Sequence, residues 1–116
     1  YPTELHATAT AVAEQLGLVE HSDWDIAWQS AGRTPEPWIG PDILLAIDDI
    51  AAQRSADGVL VSAVGFVADH LEVLYDLDIE AARHADKLGM SFSRTACVND
   101  DSTVMSALAQ RVLSAL

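Results

Sequence analysis

Two hydrophobic periods alternate along this chain, and together they predict an α/β fold. Apolar residues recur at helical spacing in four stretches, at about 5–16, 41–54, 69–88 and 102–116. Short runs typical of strands lie between them, at 24–28, 59–64 and 90–95. The order α-β-α-β-α-β-α contains no hairpin signal. The sequence therefore predicts a parallel sheet with helices on both faces, a three-layer sandwich.

Individual residues mark where the predicted helices begin and end. Gly17 and Gly89 follow the first and third helices as C-terminal stops, and Pro41 suits the first position of the second helix. Polar residues at 99–102 provide the turn and the N-cap of the last helix. The run at 59–64 predicts a strand buried on both faces. We expect the last helix to bury one apolar face, formed by Val104, Met105, Leu108, Val112 and Leu113.

The third predicted helix carries a row of three acidic residues, Glu72, Asp76 and Glu80, spaced four residues apart. Because each helical residue turns by about 100°, the row drifts by only about 40° per step. A local widening to π geometry, which tends to occur at functional sites, would align the three side chains further. The row either is a solvated helix face or lines a cleft visited by divalent cations, which carboxylates bind. The packing side of this helix is predicted to be Leu71, Val73, Leu74, Leu77 and Ala81.

Length, charge and cysteine count narrow the class of protein. A chain of 116 residues fits one domain, and its apolar runs are too short for a membrane span or a signal-peptide core. Its formal net charge of −12 would repel a phosphate backbone, which argues against nucleic acid as a partner. The single cysteine, Cys97, predicts a buried apolar role in a reducing cytoplasm.

A long loop at 29–41 and four histidines are the other candidates for functional residues. The loop has two glycines and three prolines and contains Trp38, which either plugs the core or walls a flat apolar pocket. Ligands of open parallel sheets bind beyond the carboxyl ends of the strands, where this loop and the acidic row would meet. We interpret His70 as a packing or capping residue and His84 as a surface residue. His6 and His21 belong to no constellation that the sequence reveals.

The segments G-F-V-A-D-H-L-E-V-L-Y-D-L-D-I-E at 65–80 and W-Q-S-A-G-R-T-P-E-P-W-I-G-P-D at 28–42 resemble the C-terminal half of a ferrochelatase. The resemblance covers nearly all of the chain and is closest to the coproporphyrin ferrochelatases of Gram-positive bacteria. It implies a chelatase-like, Rossmann-like fold, with residues 1–116 as one domain of a two-domain enzyme. The N-terminal half would then be a partner of this segment, and the isolated segment is expected to be inactive.

The activity implied by the resemblance is insertion of ferrous iron, as substrate, into coproporphyrin III during haem biosynthesis, a reaction of a lyase that forms nitrogen–metal bonds. In the family, the glutamate at the position of Glu72 faces a histidine from the other half and handles the metal and the pyrrole protons. Asp76 and Glu80 would continue the row as a second divalent-cation site, and Trp38 would wall the porphyrin cleft. With Cys97 alone, the segment cannot build the iron–sulfur cluster that some relatives carry.

Three alternatives to this reaction are kept. The porphyrin could be protoporphyrin IX, because propionate contacts lie mostly outside this segment. The chain could be a chelatase that acts on sirohydrochlorin, although both motifs argue against it. It could also be a metal-binding or haem-binding module that has the fold without the reaction.

Overall fold

The structure, a computed structural model, describes residues 1–29, 37, 39–53 and 55–116. A helix in three consecutive parts, here called the central helix, connects the two strands. None of the described helices combines the length and the apolar character needed to cross a bilayer. The elements are α1 (Pro2–Leu16), α2 (Ile43–Gln53), β1 (Gly58–Val61), the central helix with α3 (Leu71–Val73), a π-helical segment (Leu74–Ala81) and α4 (Ala82–Lys87), β2 (Ser91–Arg94) and α5 (Ser102–Ser114).

The predicted helix ends are largely confirmed. Gly17 follows α1 with φ 68°, and Gly89 follows the central helix with φ 72°. Both are in the left-handed region, which glycine enters without a Cβ clash. Helix α2 begins two residues later than the prediction from Pro41, and the Asp42 carboxylate accepts a hydrogen bond from the Leu44 amide at 2.8 Å.

The described sheet has two strands that pair in parallel, with Gly58 opposite Ser91 and Val61 opposite Arg94. The central helix joins them, which is the connection that parallel neighbours require. A Cβ on Gly58 would lie 2.9 Å from the Ser91 carbonyl oxygen and would also clash with the Ser91 hydroxyl, so the close approach of the two strands favours glycine here. The α/β class is confirmed. The strand predicted at 24–28 is wrong, because this stretch forms only isolated bridges at its two ends.

A small core lies between α2, the central helix and the inner face of the sheet. Val59 and Phe92 face this core, whereas Leu60 on the outer face is 70% exposed. The prediction that the strand at 59–64 is buried on both faces is therefore wrong, since the described elements cover only one face of β1. The buried residues of the core are Ile47, Val73, Leu77, Ala81, Ala85 and Met90.

Helix α5 forms where predicted, but it buries none of its residues. Asp101 is the N-cap, and its side chain accepts hydrogen bonds from the Thr103 and Val104 amides at 3.0 Å each. The expected packing of its apolar face is wrong for the described part of the chain. The periodicity of a helix identifies which face is apolar, but it does not identify the element that covers that face. The residues expected inward that are exposed are Val104, Met105, Leu108, Val112 and Leu113.

Candidate functional site

The central helix begins at a histidine cap next to the acidic row. His70 has extended backbone angles, and its Nδ1 accepts a hydrogen bond from the Glu72 amide at 3.2 Å. Its ring meets the ring of Phe66 edge-on, with centroids 4.5 Å apart. The capping role predicted for His70 is therefore confirmed. The cap and the ring contact together position the first turn, which carries Glu72.

The side chains of the central helix form rows with four-residue spacing, and three of these rows are distinct ridges; the fourth contains Leu74 and Asp78. Hydrogen bonds of the i→i+5 type put more residues into each turn than in an α-helix, so residues four apart stay aligned. The widening of the helix to π geometry, which the sequence analysis considered, is thus present at Leu74–Ala81. The buried ridge is Val73, Leu77, Ala81 and Ala85; the acidic ridge is Glu72, Asp76 and Glu80; the apolar ridge, which is exposed, is Leu71, Tyr75 and Ile79.

The same widening corrects the predicted packing side. Val73, Leu77 and Ala81 are buried as expected, but Leu71 is 80% exposed and Leu74 is 44% exposed. An α-helical period would place leucines at both three- and four-residue steps against the core. Here the packing follows four-residue steps alone. Two of the predicted core leucines therefore lie beside the acidic residues, on the solvent side.

The three acidic side chains form a series of separate carboxylates. Asp76 is half-buried, and Glu72 and Glu80 are exposed. Among the described residues, the metal-binding atoms of three side chains converge within 4.8 Å at one place only, and that place is in the turn after α1. The acidic ridge thus presents carboxylates one after another along the helix. Such an arrangement suits successive contacts with a mobile cation better than one closed chelate.

Arg94, at the end of β2, fixes two acidic residues of the central helix region. Its Nε and Nη2 donate to the two carboxylate oxygens of Asp78 at 2.6 and 2.9 Å, and its Nη1 donates to Asp69 at 2.8 Å. Its side chain is 10% exposed. Paired hydrogen bonds from a guanidinium to a carboxylate are geometrically specific. This arginine therefore fastens both the start and the middle of the helix to the sheet.

Asn99 completes this network on the far side of Asp69. Its Nδ2 donates to Asp69 at 2.9 Å, and its Oδ1 accepts from the Asp69 amide at 2.9 Å. The hydrogen bond from Asn99, together with the Cys97 thiol and the Arg94 guanidinium, lowers the pKa of Asp69 to about 2. Sequence reasoning missed these residues because they are 16 to 30 positions apart, which leaves no local spacing to detect.

Two other predicted residues have defined surroundings. His84 is 29% exposed rather than a free surface residue, and its Nε2 lies 2.7 Å from Asp48, so it connects α4 to α2. Cys97 packs against the core, as the apolar interpretation expected, but it is half-buried and not fully buried, and its thiol also hydrogen-bonds Asp69. Burial and Asp69 raise its pKa.

The long loop is closed at its base. The amide of Trp28 donates to the Pro41 carbonyl at 2.9 Å, and the amide of Ile43 donates to the Trp28 carbonyl at 2.8 Å. Trp38, predicted to wall the cleft, lies outside the described residues, and its role stays a prediction. The closed base nevertheless fixes where the loop leaves and rejoins the fold.

Comparison with known proteins agrees with the two motifs. A family model described as Ferrochelatase matches residues 1–116. The chain is 42% identical over 113 residues to a coproporphyrin III ferrochelatase of Geobacillus kaustophilus, covering 97% of this chain and 35% of that protein. It is 41% identical over 116 residues to that of Bacillus subtilis, covering 100% and 36%. A ferrochelatase of Herpetosiphon aurantiacus is 46% identical over 101 residues, covering 87% and 32%. The chain thus spans about a third of the length of the curated relatives it matches.

Proposed function

Because this chain belongs to the ferrochelatase family, we propose that it supplies the carboxylate wall of a cleft in which ferrous iron is inserted into coproporphyrin III. The names of the Geobacillus and Bacillus relatives support this substrate. The observation that carries the proposal is the pairing of two ridges on the central helix. An exposed apolar ridge with Leu71 and Tyr75 runs beside the acidic ridge that starts at Glu72.

The two ridges match the two parts of a metalloporphyrin. A porphyrin is a flat apolar ring, and exposed apolar side chains in a row are typical of a binding surface. The metal at the centre of the ring requires an oxygen or nitrogen ligand while it sheds water. A helix that presents apolar and carboxylate side chains side by side offers both contacts at once.

Glu72 is proposed as the base and transient metal ligand. Metallation forms bonds from Fe²⁺ to the ring nitrogens and releases two protons from the two pyrrole N–H groups. A carboxylate within the cleft can accept such a proton and can hold the cation as water leaves. The resemblance adds a histidine from the N-terminal half opposite Glu72. Asp76 and Glu80 would hold a second divalent cation or pass iron along the helix, and Trp38 would wall the cleft.

We also propose that this chain is the C-terminal half of a two-domain enzyme, with a partner half that closes the cleft. Large exposed apolar faces on α1 and α5, including Leu16 and Leu108, support a covering partner. The open outer face of the sheet, marked by Leu60, supports further layering into the three-layer sandwich. The reducing cytoplasm indicated by Cys97 is part of the same proposal.

A second candidate differs only in the porphyrin. The Herpetosiphon relative and those of Deinococcus radiodurans and Thermus thermophilus are named simply ferrochelatase, at 42 to 46% identity. These names specify no porphyrin, and protoporphyrin IX is kept as the alternative substrate. The iron chemistry proposed for Glu72 is the same for both.

The deciding experiment measures Fe²⁺ insertion by the intact protein with coproporphyrin III and protoporphyrin IX supplied separately. We expect turnover of coproporphyrin III and none by the 116-residue chain alone. The variant Glu72→Gln should lower kcat by about 10²- to 10⁴-fold, the usual contribution of a positioned proton acceptor. Glu14→Gln, on the exposed face of α1, is the matched control. Near wild-type metallation by Glu72→Gln would refute the assignment of Glu72, and no turnover of either porphyrin would favour a non-catalytic binding module.

A further inference from the structure

We propose that the turn after α1 binds a divalent transition-metal cation through Glu20, His21 and Asp25. One donor atom from each of these side chains lies within 4.8 Å of the other two, the only such group among the described residues. His21 Nδ1 is 2.9 Å from Asp25 Oδ2. Donors of a tetrahedral zinc site with bonds of about 2.0–2.1 Å lie about 3.3 Å apart, so these two donors need to separate only slightly to share a cation.

A second histidine supports the group from another element without belonging to it. His6 on α1 places its Nε2 2.7 Å from Glu20 Oε1, and its ring packs against Trp24 with centroids 6.0 Å apart, so it holds the Glu20 carboxylate in place. One imidazole and two carboxylates suit Zn²⁺ and neighbouring transition metals, whereas Ca²⁺ and Mg²⁺ prefer oxygen donors alone. The donor set therefore selects the class of cation.

The turn is held in shape by its own hydrogen bonds. The Leu18 amide donates to Ala13 at 3.0 Å, directly after the left-handed Gly17. The Val19 amide donates to the Asp23 carboxylate at 2.8 Å, and the His21 amide donates to the Trp24 carbonyl at 2.8 Å. Binding of a cation then needs side-chain adjustment without refolding of the turn, which limits the ordering cost.

Metal binding here exchanges protons for a cation. His21 is hydrogen-bonded to the Asp25 carboxylate. A metal bound by Glu20, His21 and Asp25 requires a neutral imidazole and ionised carboxylates, so a proton on the His21 ring is released on binding. The net charge of −12 raises the local concentration of cations around the chain. The site uses no residue of the acidic ridge, so it does not depend on the proposed reaction.

The test is a Zn²⁺ titration of the intact protein by calorimetry, in a Glu72→Gln/Asp76→Asn/Glu80→Gln background that removes all three competing carboxylates of the acidic ridge. We expect one Zn²⁺ per chain. His21→Gln and Asp25→Asn should each weaken the affinity by at least about 10- to 100-fold, the range that even supporting residues of metal sites produce. Far-UV circular dichroism without zinc shows whether each variant is folded, which is expected because both side chains are exposed.

His84→Gln is the matched control, since His84 is also hydrogen-bonded to an aspartate at 2.7 Å but belongs to a pair and not to a group of three. It should leave Zn²⁺ affinity unchanged. Three outcomes would each overturn the proposal. They are no Zn²⁺ binding, an unchanged Zn²⁺ affinity in the double variant His21→Gln/Asp25→Asn, and a loss of affinity in His84→Gln equal to that in His21→Gln. None of these outcomes bears on metallation by Glu72, so the two proposals fail separately.

Discussion

Arg94 donates two parallel hydrogen bonds to the Asp78 carboxylate, from Nε to Oδ1 at 2.6 Å and from Nη2 to Oδ2 at 2.9 Å. The pair joins the end of β2 to the middle of the π-helical segment. Because the same guanidinium also reaches Asp69, it spans the first two turns that carry the acidic ridge. π-helical turns are rare in proteins. We infer that the hydrogen bonds from Arg94 to Asp78 help to hold the π geometry of this segment.

Replacing Arg94 by lysine tests that geometric role. Lysine keeps the positive charge but cannot donate to both oxygens of Asp78 in a planar fork. We expect Arg94→Lys to lower the Tm of the intact protein by a few degrees, as measured by calorimetry. Arg111→Lys, on the exposed face of α5, should leave Tm unchanged. Equal Tm values for wild type and Arg94→Lys would show that charge alone suffices.

Asp69 predicts how stability depends on pH. Its pKa is lowered to about 2 by Asn99, Cys97 and Arg94, against about 3.9 in an unfolded chain. A carboxyl with a lowered folded-state pKa stabilises the fold above the unfolded value and loses that contribution as pH falls towards the folded value. The difference in unfolding free energy between wild type and Asp69→Asn should therefore be constant above about pH 5 and shrink between about pH 4 and 2. The unfolding free energies of both proteins are measured by urea denaturation at each pH. A difference between them that stays constant from about pH 5 to pH 2 would contradict the prediction.

Local signals in the sequence located most elements. Glycines at 17 and 89 ended helices because each takes a left-handed conformation, and the four-residue spacing of Glu72, Asp76 and Glu80 anticipated the aligned ridge. The parallel pairing followed from the absence of hairpin turns. These features depend on residues close in sequence, which is why they were predictable.

The features of the fold and the site that could not be predicted depend on contacts between residues distant in sequence. The fork from Arg94 to Asp78 joins positions 16 apart, and the pair His6–Glu20 joins positions 14 apart, so no spacing rule reveals either. The interpretation that His6 and His21 belong to no constellation is therefore wrong. His6 pairs with a distant residue, but His21 lies next to Glu20 and four residues before Asp25, a local spacing that the sequence does contain. The prediction that α5 buries its apolar face is wrong because the amphipathic period of a helix shows which face is apolar and not which element covers it.

Leu77 tests the buried ridge of the π-helical segment. Its side chain is 2% exposed within the core, so Leu77→Ala removes buried apolar volume and leaves a cavity. We expect a loss of about 2–5 kcal/mol in the free energy of unfolding, measured by urea denaturation. Ile79→Ala, two residues away on the exposed apolar ridge, should cost less than about 1 kcal/mol. Equal losses would mean that the ridges are wrongly assigned.

Asp76 and Glu80 should affect the supply of metal more than the chemical step. If they attract Fe²⁺ along the helix, Asp76→Asn and Glu80→Gln will raise KM for Fe²⁺ several-fold and leave kcat nearly unchanged, because electrostatic attraction acts on encounter. Glu72→Gln, in contrast, should lower kcat. Steady-state kinetics at varied iron concentration separate the two effects. A fall in kcat equal to that of Glu72→Gln would place these residues at the reacting centre.

Leu71 provides the sharpest test of the apolar ridge as a porphyrin surface. This leucine is 80% exposed in the chain and lies directly before Glu72, so a bound ring would cover it. Full burial of a leucine side chain contributes about 1.5–3 kcal/mol, and each 1.4 kcal/mol changes Kd about tenfold. We expect Leu71→Ser to raise the Kd for coproporphyrin III by roughly tenfold or more, measured by quenching of porphyrin fluorescence. Leu45→Ser, a leucine of α2 that is 58% exposed, should leave Kd unchanged. An unaltered Kd in Leu71→Ser would mean that the ring binds elsewhere, because a surface that loses its most exposed apolar residue cannot hold an apolar ligand as tightly as before.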